Sequence, residues 1–136
     1  MGSTTYEWIL DHEAGADWSW PYEQPSWVFT HRELRVVPDA RIQFTSGDVA
    51  AVHEEMVSAA GDRNVWIVGG GDLAGQFADA GLLHEVLVTI APVTLGAGAP
   101  LLPRRLELRL EETGRNGDFV AVRYSLARGS DSASPG

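Results

Sequence analysis

The sequence predicts one α/β domain, built on a mostly parallel sheet that ends in an antiparallel hairpin. Three observations predict it. Apolar segments of strand length alternate with helical patterns over the first two thirds of the chain. Asn64 to Phe77, NVWIVGGGDLAGQF, runs an apolar strand through three consecutive glycines into a helix start. Near the end, Leu106, Leu108 and Leu110 alternate with charged neighbours, and Phe119 to Leu126 alternates similarly, the pattern of a hairpin with one wet face. A chain of 136 residues is the size of a single domain and can bury about two thirds of its unfolded surface.

Taken in order, Thr4 to about Asp11 reads as a helix, with Thr4 and Glu7 at capping-box spacing and Trp8 and Ile9 placed to face a core. Residues 14 to 26, AGADWSWPYEQPS, combine glycine, prolines and aromatics as an ordered loop does. Trp27 to Thr30 and Arg41 to Thr45 are short strands. From Asp48 a helix carries Val49, Val52 and Met56 on one face. Val65 to Val68 is wholly apolar, as in a strand buried on both faces. A helix from Leu73 to about Ala80 stops at Gly81, and His84 to Ala91 is a further strand, so strand, helix and strand form a right-handed parallel crossover. Residues 91 to 103, APVTLGAGAPLLP, are irregular and expected to wrap the sheet edge. The hairpin turn falls within Gly114 to Gly117. The domain is residues 1–128, and residues 129–136 are a polar tail expected to be disordered.

Composition removes several chemistries. There is no cysteine, and the ten basic residues are all arginines, so thiolate, Schiff-base and P-loop lysine chemistry have no residue to carry them. A net charge of -9 argues against nucleic acid. No apolar run reaches membrane-spanning length and the start lacks a leader pattern, so a cytoplasmic protein is expected.

The glycine run is the most telling feature. Without a Cβ, glycine lets a ligand approach the backbone, and a following helix offers unpaired amides and the positive end of its dipole to a phosphate. As a dinucleotide fingerprint, Gly69, Gly71 and Gly75 match only loosely, and a tight packed turn explains them as well.

Three segments carry a wider resemblance: GSTTYEW at Gly2 to Trp8, WVFTHR at Trp27 to Arg32, and VGGGDLAGQF at Val68 to Phe77 followed by APVTLGAGAPLLP. In motif, order and spacing the chain resembles the dihydrofolate reductase-like family, in its branch similar to the reductase domain of bacterial riboflavin biosynthesis, the RibD C-terminal type. The resemblance extends to about Leu126. It implies a three-layer α/β sandwich, an NADPH-dependent reductase that transfers hydride to a heteroaromatic substrate, with 5-amino-6-(5-phosphoribosylamino)uracil the candidate, and a homodimer. Its cofactor site would join three turns: Gly2, Ser3 and Thr5 at the first helix start, Thr30, His31 and Arg32 after the first strand, and Gly69, Gly70, Gly71, Asp72 and Leu73 at the glycine run. Arg32 would pair with the 2′-phosphate and favour NADPH over NADH. Ser3 stands where the family usually has arginine, which removes one phosphate contact. The family also places a strand, a helix and a second strand ahead of the first motif, so a sheet reduced on that side is expected.

Hydride transfer needs no side-chain nucleophile, and no catalytic acid is assigned; Glu7, Asp11, His12 and Glu13 lie near the aromatic loop. His53-Glu54-Glu55 begins like a zinc helix, but Val57 stands where the second histidine belongs, and no metal is expected. The tryptophans Trp8, Trp18, Trp20 and Trp27, with Tyr6 and Tyr22, could wall a planar substrate, fill the core or face a partner. Besides the reductase, two classes stay open: a nucleotide-binding module without catalysis, and an interaction partner whose sheet edges another chain completes.

Overall fold

The computed structural model describes residues 1–13, 15 and 17–127, so the expected tail at 129–136 lies outside the described residues. The elements run α1 (Ser3–Glu13), β1 (Ser26–Phe29), β2 (Ile42–Thr45), α2 (Val49–Ala60), α3 (Gly71–Asp79), β3 (Glu85–Ile90), β4 (Leu108–Asn116) and β5 (Phe119–Leu126). β1 and β2 pair in parallel, with Ser26 opposite Ile42 and Phe29 opposite Thr45. Met1 and Gly2 extend this layer: Gly2 bridges Phe29 in parallel, and Phe29 N–H donates to Met1 O at 2.9 Å.

Alternation along β1 sorts the core into two halves. Val28, wholly buried, points to a cluster with Met1, Tyr6, Ile9 and Leu10, over which Trp18, Trp20 and Tyr22 pack. Its neighbours Trp27 and Phe29 point the other way, to Val49, Val52, Met56, Leu73 and Phe77. The result is a sandwich, with α1 and the aromatic loop on one side of the strands and α2 and α3 on the other. α2 has the expected apolar stripe, and Asp48 caps it by accepting from Ala50 N–H at 3.2 Å.

Several expectations are corrected. α1 begins at Ser3, so Thr4 lies inside the helix and is no cap; Trp8 is 54% exposed and stacks on His12, while Tyr6, Ile9 and Leu10 take the core positions. Val65 to Val68 alternates as a strand should, with Val65 and Ile67 in one cluster and Val68 in the other. Yet it joins no ladder among the described residues, and Trp66 is 68% exposed. Residues 64–68 make no backbone hydrogen bond to a neighbouring strand; the contact comes one residue later, where Gly69 O accepts from Gly2 N–H at 2.8 Å. The expected crossover is therefore not closed, and β3 pairs with β5 instead.

The carboxyl-terminal sheet has the order β3-β5-β4 and is antiparallel throughout. Parallel pairing is thus confined to β1, β2 and the Gly2 bridge, rather than dominating the sheet. β4 runs straight through Gly114, and the turn is the tighter pair Gly117-Asp118, with Gly117 at φ 61. Register places Val86, Val88, Ile90, Leu108, Leu110, Val120, Val122, Tyr124 and Leu126 on one face. Glu85, Arg123 and Glu112 form an ion-paired chain on the other. On its apolar face Ile90 and Leu110 remain more than half exposed, while Val86, Val88, Val122, Tyr124 and Leu126 are half-buried. No helix among the described residues is long and apolar enough to cross a membrane.

Candidate functional site

Parallel strands put their following turns at one end, and the three sequence motifs converge there. Met1-Gly2 leads into α1, β1 leads into Thr30 to Arg32, and residues 65–68 lead into the glycine run and α3.

At the centre lies Gly69-Gly70, joined by a cis peptide bond, with Gly69 at φ 154, a conformation open to glycine and strained for other residues. Gly2 and Thr5 pack directly on it: a Cβ at Gly69 would stand 3.0 Å from Thr5 Oγ1, and one at Gly2 would stand 3.7 Å from Gly70 N. Gly70 caps α3 through its backbone alone, and its carbonyl accepts from Ala74 N–H at 3.1 Å. The first-turn amides of Gly71, Asp72 and Leu73 consequently have no partner within the helix. Gly2, Thr5 and the glycine run thus lie against one another.

The second turn joins the first through side chains. Thr30 Oγ1 accepts from Arg32 N–H at 3.1 Å and donates to Arg32 O at 3.0 Å, closing the turn. The Arg32 guanidinium pairs with Glu7 on α1. Arg32 is thus anchored at the site's edge and 58% exposed, with donors left over for a further anion. The side chains of Ser3 and His31 make no hydrogen bond among the described residues, and His31 is exposed.

Of the acidic residues near the aromatic loop, Glu7 is held by Arg32 and Asp11 by Arg35, while His12 Nδ1 lies 2.9 Å from Trp8 O. Trp18, Trp20 and Tyr22 wall a cleft of about 660 Å³ with Leu10, Val37 and Arg41. None of the residues of the three turns lines it.

One part of the site was not anticipated. Residues 91–103 were expected at the sheet edge, but Leu101 to Arg104 lie against the start of α3: a Cβ on Gly71 would come within 2.7 Å of Leu101 O. Arg104 then spans α3, its Nε donating to Asp79 at 2.8 Å and its terminal nitrogens to Asp72 Oδ1 at 3.3 Å. Its side chain lies over Gly75, where a Cβ would meet Cγ and Cζ at 3.0 Å. Gln76 donates to the other Asp72 oxygen at 3.0 Å. The Gln76 bond first, and Arg104 after it, hold the Asp72 carboxyl below its ordinary range. The sequence marks the helix side of this contact, since Asp72, Gly75 or Gln76, and Asp79 recur at the spacing of one helix face, but not the arginine that crosses it.

The α/β sandwich with a glycine turn at the carboxyl end of its strands defines a protein of dihydrofolate reductase-like fold. A family model described as the RibD C-terminal domain matches residues 6–118, and the chain belongs to that family. It is 30% identical over 131 residues to the uncharacterized protein YwjB of Bacillus subtilis, covering 93% of this chain and 72% of that one. With the uncharacterized protein YyaP of the same organism it shares 25% identity over 99 residues, covering 71% and 51%. Among solved structures, a protein of Shewanella sp. PV-4 whose name proposes a role in riboflavin biosynthesis superposes with TM-score 0.73 at 24% identity, covering 94% of this chain and 72% of its own. A pyrimidine reductase-like protein of Corynebacterium diphtheriae gives TM-score 0.51 at 21% identity, covering 64% and 38%. These two likenesses concern the fold.

Proposed function

We propose that the chain is an NADPH-dependent reductase that transfers hydride to a heteroaromatic substrate, with 5-amino-6-(5-phosphoribosylamino)uracil the first candidate. The observation that carries this reading is the convergence of the three turns on one surface of bare backbone, with Arg32 at its rim. A dinucleotide fits these residues. Gly2, Thr5, Gly70 and the first-turn amides of α3 would receive its phosphates, and Thr30 to Arg32 its adenosine end, with Arg32 beside the 2′-phosphate. Ser3, His31 and Gly69 complete the three turns. The bound cofactor supplies the hydride, and the chain supplies position and charge. Membership of the RibD C-terminal domain family supports the same reading.

Calorimetric titration with NADPH and NADH tests it. Binding of NADPH in the low micromolar range, with NADH weaker, is expected. Arg32→Gln should weaken NADPH about tenfold and leave NADH unchanged, the difference a charge-assisted contact makes. No binding of either nucleotide by the folded chain would sink the proposal.

A further inference from the structure

An aspartate in the first turn of a helix is itself an anion beside open amides, so Asp72 would compete with any phosphate brought to α3. It does not do so in this structure: α3 has no side-chain cap. Both Asp72 oxygens are engaged elsewhere, Oδ2 by Gln76 and Oδ1 by Arg104. Arg104 is in turn fixed by Asp79 at the far end of α3, by Pro103 O at 2.9 Å and by the space over Gly75. It is 28% exposed, the least exposed member of the described ion pairs.

We propose that Arg104 is a positioning residue for anion binding at the glycine turn: it holds the Asp72 carboxylate along the side of α3 and balances its charge, keeping the amides of Gly71, Asp72 and Leu73 open to a ligand's phosphate. This inference rests on the reading of that turn as the cofactor's phosphate site. Arg104 touches no ligand in this role; it acts through Asp72. A salt bridge that served only to tie residues 101–104 to the helix would make the opposite prediction about Asp72, since removing the acid would then harm the site as much as removing the base.

The test is a double-mutant cycle on the whole chain with two readouts. Arg104→Gln should raise the NADPH Kd about tenfold, Asp72→Asn should lower it by removing the nearby anion, and the double variant should return to within about threefold of the parent. The second readout needs no cofactor. In the free protein, Arg104→Gln should slow hydrogen exchange at the amides of Gly71, Asp72 and Leu73, because Asp72 Oδ1, freed from Arg104 while Gln76 keeps Oδ2, now accepts from them, and Asp72→Asn should cancel that slowing. Loss of binding that Asp72→Asn fails to rescue, or exchange that speeds up in Arg104→Gln, overturns the proposal. If the parent chain binds no NADPH but the exchange cycle behaves as stated, the cofactor reading fails and the role of Arg104 stands.

Discussion

Gly71 shows how one missing methyl group serves two surfaces at once. On one side it opens the first turn of α3; on the other it admits Leu101 O to within 2.7 Å of where a Cβ would be. Gly71→Ala is therefore expected to cost about 1–3 kcal/mol through the backbone shift it forces, measured by urea denaturation, before any ligand is considered. A different residue-scale effect arises at Met1. Its terminal amine donates to Trp27 O at 2.8 Å from a mostly buried position, and burial pushes its pKa down from 8.0 to about 6. The folded state thus prefers the neutral amine. For a polypeptide starting at Met1, stability is complete above pH 8 and declines as pH falls towards 6, by about 2–3 kcal/mol in all. One alanine added ahead of Met1 replaces the amine with an amide and should abolish that slope in denaturation curves taken at pH 6 and pH 8.

At the scale of elements, the load on α3 is carried by Phe77, 1% exposed and edge-on to Phe29 with ring centroids 6.1 Å apart. Phe77→Ala should destabilise the chain by about 3–5 kcal/mol, read from the midpoint and slope of a urea curve. Most elements were legible because each carries one apolar face: the stripe of α2, the alternation of β4 and β5, the short apolar β1. Residues 65–68 show the limit of that logic. Side-chain pattern reports which residues can pack, and Val65, Ile67 and Val68 do pack on the two clusters while Trp66 stays exposed; it carries no information on whether a neighbouring backbone completes the ladder. The site divides in the same way. Gly2, Thr5, Thr30, Arg32 and the glycines were readable since each motif is local. Arg104 was not, because it meets Asp72 across 32 residues of chain and through an irregular segment.

At the scale of the whole molecule, two bodies of structure differ in how well they are covered. The sandwich has a two-sided core, whereas the apolar face of the β3-β5-β4 sheet leaves Ile90, Leu108, Leu110 and Val120 exposed, and exposed apolar patches mark places where proteins associate. Sedimentation coefficients should rise with concentration, and the pair Ile90→Asp and Leu110→Asp should flatten that rise while leaving the circular dichroism spectrum unchanged. A second exposed feature has a more practical consequence. The run Val65-Trp66-Ile67-Val68 carries no charge, favours extended backbone, and its N–H and C=O groups lack strand partners among the described residues. Such a segment templates sheet growth between molecules without waiting for global unfolding. The storage lifetime of the purified chain will then depend on how concentrated it is kept far more than on how hot, and a single arginine at position 66 should prolong it.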